Sequence, residues 1–179
     1  MTTGIVLDPT TSAPPINDPA GPPAGALAGR TVGLRRDIYW KSWDWVTDEW
    51  AALFERDGAR IAWWRHTPPV GKEATTIDDE LDAFLGSVDA AVIGLCNCGS
   101  CTMWSVHDAL RSLSRNLPTV LVSTEHFESL ARTLAAQSGR PEVKVQLLPY
   151  PLEGRNEPEV RTIAREYYPH LLLTMGAVV

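Results

Sequence analysis

Short apolar runs and helix-period stretches alternate along this chain from residue 30 onward. Runs at 31–34, 60–64, 88–95, 119–122 and 143–148 are bounded by turn-forming residues and predict strands. Between them, apolar residues recur every third or fourth position. Trp43, Val46, Trp50, Leu53 and Phe54 fall on one face of a helix over 43–56, which Ser42 or Asp44 is placed to cap and Asp57-Gly58 ends. Ile77, Leu81, Phe84 and Leu85 mark a second helix, with Gly86 near its stop. A third covers roughly 101–114, and Phe127, Leu130, Ala131 and Leu134 line a fourth, closed by Ser138-Gly139. The last helix runs over roughly 157–167, with Pro158 suited to its first turn. Residues 171–179 are apolar and fit neither period clearly.

Strands alternating with helices predict one α/β domain over residues 30–179, with a mostly parallel five-stranded sheet between two helical layers. Right-handed crossovers leave few topologies, and a flavodoxin-like strand order is the first expectation. In such sheets ligands bind outside the carboxyl ends of the strands. That rule selects the loops at 35–42, 65–74, 96–102, 123–126 and 149–155.

Composition narrows the picture. Residues 1–29 hold Pro9, Pro14, Pro15, Pro19, Pro22 and Pro23 with few large apolar groups, a composition that predicts a disordered tail unless it lies on a partner or sister chain. The formal net charge is −6 and no basic block stands out, which argues against nucleic acid as a partner. No segment approaches the ~20 apolar residues of a membrane span. No charged region followed by an apolar one opens the chain, so it does not read as a signal peptide. The three cysteines are an odd and tightly spaced set rather than a disulfide framework, and a reducing, cytoplasmic setting is expected.

All three cysteines lie in Cys96-Asn97-Cys98-Gly99-Ser100-Cys101, where the third strand gives way to a helix. Cys98 and Cys101 form a C-x-x-C. The thiolate is the reactive form of cysteine; its usual pKa of ~8.5 falls at a helix N-terminus, through unpaired N–H groups and the helix dipole. Cys98, just before the helix, is the expected nucleophile. Cys101, one turn on, is placed to resolve an adduct by disulfide formation. Gly99 permits a tight turn and close substrate approach, and Ser100 and Thr102 are placed to cap the helix or donate to a developing anion. Three other readings stay open: a metal site of Cys96, Cys98, Cys101 and His107, for which zinc is the natural ion; a general thiol–disulfide oxidoreductase; and inert buried thiols.

Asn97-Cys98-Gly99-Ser100-Cys101-Thr102, followed by Trp104-Ser105-Val106-His107-Asp108, resembles the UGSC proteins, selenoproteins and cysteine homologues named for Sec-Gly-Ser-Cys. Cys98 stands at the selenocysteine position. The resemblance extends over roughly residues 30–165, through 88–94, 118–120, 124–127 and 149–152. A looser similarity reaches the selenocysteine-containing subunits of glycine, betaine and D-proline reductases. The resemblance implies redox-active nucleophilic chemistry and not a named substrate. The leading expectation is a small activated organic substrate, no resident cofactor and an external thiol or reductase as electron donor. Two departures are cysteine in place of selenium and Tyr150 where histidine is expected.

Other residues complete the expected site. Glu125 and His126 follow the fourth strand at its carboxyl end, as acid–base groups or as part of a helix start capped by Thr124. Arg35, with Arg36, Asp37 and Lys41, follows the first strand, suited to a carboxylate or phosphate or simply solvated. Tyr150, Glu125, His126 and Arg35 are expected to orient the substrate. Six of the seven tryptophans lie between positions 40 and 64, and outward-facing Trp45 suggests an interface or a lid. A second subunit or homodimer is a possible partner. The rival functions are non-redox cysteine chemistry, such as a lyase or hydrolase, and a metal-binding module.

Overall fold

A computed structural model describes residues 20–65 and 74–179. The elements run β1 (Gly25–Ala26), β2 (Thr31–Arg36), α1 (Lys41–Arg56), β3 (Arg60–Arg65), α2 (Ala74–Leu85), β4 (Ala90–Cys96), α3 (Gly99–Ser114), β5 (Thr119–Thr124), α4 (Glu128–Gln137), β6 (Val145–Leu148), α5 (Glu157–Met175) and β7 (Ala177–Val178), with a 3-10 turn at Glu125–Phe127. Strands β2 to β6 form one parallel sheet in the order β3-β2-β4-β5-β6. This is the flavodoxin-like order, whose winding reverses between β2 and β4.

Burial follows from that order. Every residue of β4 and β5 is buried, as their near-continuous apolar sequences require of central parallel strands covered on both faces. Edge strand β3 has none buried. Helices α1 and α5 cover one face, where Trp43, Trp50, Phe54 and Leu171 pack on Val92 and Val122. Helices α2, α3 and α4 cover the other, where Leu81, Ala109, Leu113 and Ala131 meet Ile93 and Leu121. Trp43 and Trp50 meet edge to face at 5.7 Å, and each indole N–H is satisfied by a carbonyl, Arg35 for Trp43 and Ala164 for Trp50.

Three local differences from the sequence reading have physical causes. The folded region starts before residue 30: Gly25–Ala26 pairs in parallel with Ala177–Val178, and Ala24 and Leu27 are buried in the core. The prolines around them mask this segment in composition, and its partner lies at the far end of the chain. Residues 1–19 and 66–73 lie outside the described residues, and with them most of the tail and of the loop after β3. Helix α5 passes through Pro169 to Met175, because Tyr168, Leu171 and Met175 bury their side chains on either side of the missing hydrogen bond. It ends at Gly176, whose φ of 65° suits glycine, and a Cβ there would stand 2.8 Å from Pro23 Cβ. Neither Ser42 nor Asp44 caps α1; the Glu153 carboxylate, from the loop after β6, accepts from the Ser42 N–H and hydroxyl instead.

Candidate functional site at the cysteine turn

Strand β4 ends at Cys96 and α3 begins at Gly99, which leaves Cys98 as the N-cap in extended backbone. Its Sγ accepts the Cys101 N–H at 3.1 Å, and the Thr102 hydroxyl donates back to the Cys98 carbonyl at 2.6 Å. A sulfur therefore does the capping usually left to a serine or aspartate oxygen, at the end of α3 where orphan N–H groups favour negative charge. Cys98 and Cys101, with Cα atoms 5.2 Å apart, are joined in a disulfide. Cys98 is half-buried and Cys101 buried. The indole N–H of Trp40 donates to Cys101 Sγ at 3.3 Å, so each sulfur has a different donor.

The pair opens onto a cleft of about 540 Å³ at the winding reversal. The end of β2 contributes Arg35, the loop after it Asp37, Tyr39 and Trp40, the motif Cys98, Ser100 and Cys101, and α3 Trp104. Arg35 is 3% exposed, and its guanidinium is fixed. Its Nε bonds Asp108 of α3 at 2.8 Å and its Nη1 bonds the Gly94 carbonyl at 2.9 Å. Gly94 has to be glycine, since a Cβ would stand 2.9 Å from the Trp43 ring and 3.1 Å from Val122. Asp37 uses Oδ1 to accept the N–H groups of Tyr39 and Trp40, at 2.8 and 3.3 Å. Its Oδ2 is buried without a hydrogen-bond partner among the described residues, 3.7 Å from Arg35 Nη1. Burial pushes this carboxyl above the usual aspartate range, against the lowering pull of those N–H groups and Arg35.

The third thiol differs in kind. Cys96 is fully buried against the α2–α3–α4 side of the sheet, and burial pushes it up to about 12. His107 lies on α3, where its Nδ1 meets Asp108 Oδ1 at 3.2 Å; that contact holds its pKa above the ordinary histidine value. It faces a second depression with Met103, Leu110 and Arg111. The Cys96, Cys98, Cys101 and His107 set is thus not gathered around a point. Among the described residues no group of three or more His, Cys, Asp or Glu side chains is arranged to hold a metal ion.

Several sequence-predicted residues stand elsewhere than on the cleft. Thr102 is turned to the Cys98 carbonyl rather than to the opening. Ser100 lies on the cleft with its hydroxyl 3.5 Å from Cys98 Sγ, and a Cβ on exposed Gly99 would meet nothing. Thr124 does not cap the turn after β5; its hydroxyl reaches the Cys96 carbonyl and Asn97 Oδ1 and ties β5 to the motif. Glu125, His126 and Tyr150 are exposed at the carboxyl ends of β5 and β6. His126 stacks on Tyr150 at 4.8 Å and meets Phe127 edge on, a cluster that does not line the cysteine cleft. Trp45 is half-buried, with Lys41 Nζ 5.4 Å from its ring, and does not cover the cleft. The cleft instead gains Asp37, Tyr39, Trp40 and Trp104. The carboxyl-end rule selects the loop that carries the first three, but nothing in the sequence separates Asp37 from its charged neighbours.

No helix among the described residues is long and apolar enough to cross a membrane. Solved structures similar to this chain include two variants of the flavo-diiron protein from Thermotoga maritima, at 9% and 8% identity with TM-scores of 0.47 and 0.46. The match covers 88% of this chain and 37% of each of theirs, so the chain spans well under two thirds of their length. No curated protein matches it. The sequence profile of the UGSC family matches residues 5–177, and the chain belongs to that family.

Proposed function

We propose that this chain is a thiol-dependent oxidoreductase, or the catalytic subunit of one, acting on a small organic substrate through Cys98. The observation that carries the reading is the half-buried Cys98 sulfur at the start of α3, within disulfide reach of Cys101 and open to an aromatic-walled cleft. In the reduced pair, the Cys98 thiolate attacks an activated carbon, and the leaving group departs with its electron pair. The Cys101 thiolate then attacks Cys98 Sγ. The sulfur–carbon bond breaks, its pair goes to carbon, and carbon takes a proton. The substrate is reduced by two electrons and the pair is left as the Cys98–Cys101 disulfide. An external dithiol or reductase restores the thiols. Tyr39, Trp40 and Trp104 enclose the substrate, and Arg35, held by Asp108 and the Gly94 carbonyl, orients it from the cleft wall. The looser similarity to selenocysteine-containing reductase subunits supports reductive cleavage over addition or hydrolysis.

The chromogenic disulfide dithionitrobenzoate tests this division of labour on protein first reduced and freed of reductant. One equivalent is expected to release two thiolates from the wild type, the second as Cys101 closes on Cys98. Cys101→Ser should release one and keep the other as added mass on Cys98. Rapid, complete reaction of Cys98→Ser at wild-type stoichiometry would overturn the assignment.

A further inference from the structure

We propose that Asp37 is the proton donor and acceptor for Cys101 as the Cys98–Cys101 bond opens and closes, an inference that rests on the thiol-redox reading above. Two independent features of the cleft converge on it. Asp37 is 3% exposed, lines the same cleft as both sulfurs, and has one carboxyl oxygen with no hydrogen-bond partner among the described residues. Its other oxygen holds the backbone N–H of Trp40, whose indole N–H donates to Cys101 Sγ. One side chain thus sets the turn that contacts Cys101 and presents a carboxyl oxygen free of hydrogen bonds among the described residues in the same cleft.

The two sulfurs differ in what stabilises them as anions. Cys98 has the N-terminus of α3. Cys101 is buried, and its side-chain donor among the described residues is one neutral indole, so a thiolate there is costly until it is protonated. An external dithiol attacks half-buried Cys98 Sγ through its own thiolate. The S–S bond breaks, its pair goes to Cys101 Sγ, and Asp37 gives Cys101 its proton across the cleft, directly or through one water. The dithiol's second thiolate then closes on its first sulfur and releases Cys98 as thiolate. The dithiol is oxidised by two electrons, the pair is reduced by two, and Asp37 recovers its proton from solvent. In the reverse direction Asp37 takes the Cys101 proton when the pair re-forms.

The charges around Asp37 allow this role. Arg35 from β2 is closest, but its guanidinium is already shared with Asp108 of α3 and the Gly94 carbonyl. Asp44 on α1 opposes ionisation, and among the described residues lining the cleft Tyr39 is the other titratable group on this wall. Burial raises the carboxyl above the usual range, so the protonated form persists to higher pH than in an exposed aspartate.

The test is the rate at which dithiothreitol reduces the disulfide in full-length wild type, Asp37→Asn and Asp37→Ala, normalised to the dithiothreitol thiolate and followed across the acid-to-neutral range. Asparagine keeps an oxygen for the Tyr39 and Trp40 N–H groups, so it removes the proton and spares the turn. The wild type is expected to be roughly tenfold faster than Asp37→Asn at low pH, below the usual general-acid range because a thiolate leaves well. The two should converge as pH rises through the Asp37 titration, and Asp37→Ala should be slower at every pH. Superimposed wild-type and Asp37→Asn profiles would overturn the inference and leave the thiol-redox reading standing. A wild-type disulfide that dithiothreitol never opens would overturn both. A measurement without variants is the carbon-13 titration of the Asp37 carboxyl, whose midpoint should rise when the pair is reduced; identical midpoints in the two states would also overturn the role.

Discussion

Arg35 Nε and Asp108 Oδ2 meet at 2.8 Å with both side chains under 10% exposed, which joins the cleft-lining end of β2 to the middle of α3. Arg35 comes from the strand on one side of the winding reversal and Asp108 from the helix that follows the strand on the other. Two charges taken out of water repay their desolvation only with close opposite charge and hydrogen bonds around them; Arg35 and Asp108 are each other's closest partner, with Asp37 and the Gly94 carbonyl on one side and His107 on the other, so the pair fixes geometry more than it adds stability.

Removing one partner should therefore be costly. Arg35→Ala or Asp108→Ala is expected to lose about 3–5 kcal/mol in urea unfolding, because each leaves a buried charge without its closest opposite charge. The double variant Arg35→Ala/Asp108→Ala should lose clearly less than the sum of the two single losses. Additive losses would show that the two residues act independently.

Trp40→Phe is expected to keep the ring and delete the donor to Cys101 Sγ. The loss of that hydrogen bond weakens the Cys101 thiolate by about 1 kcal/mol, roughly fivefold in its ionisation equilibrium. Thiolate absorbance of the reduced Cys98→Ser protein, titrated with and without Trp40→Phe, reads this directly. An unchanged midpoint would mean that the indole contact does nothing for the anion.

Stability should fall with rising pH on account of Asp37. Its folded-state pKa lies above the ordinary 3.8, so between those two values the folded chain binds more protons than the unfolded one. The protonated carboxyl's contribution is fully present below 3.8 and is lost as pH rises through the folded-state value. Asp37→Asn has nothing to titrate, so its stability relative to wild type should grow across that window. Urea unfolding at several pH values checks the trend, and a wild-type advantage that widens with pH would contradict it.

The local pattern carried much of this. Five apolar runs became the five strands of the main sheet, and the rule of carboxyl ends pointed to the strand ends and turns that hold Arg35, Asp37 and Cys98. What escaped is non-local. The Arg35–Asp108 pair spans 73 residues, and the Glu153 cap on α1 spans 111, so no periodicity reports either. Position alone sets Cys98 apart at the helix start, whereas the full burial of Cys96, two residues earlier at the end of β4, depends on the helices packed over that face. Thr102 and Thr124 each met a nearer carbonyl than the solvent-side role their positions suggest.

The pairing of Gly25–Ala26 with Ala177–Val178 makes the order of synthesis matter. The first strand described finds its partner only once residues 177 and 178 have left the ribosome. Until then Leu27 and Ala24, both destined for the core, have no α5 terminus to close against. The five-stranded sheet has all its strands by residue 148, but the arm that seals its α1–α5 side waits until 177 and 178 emerge.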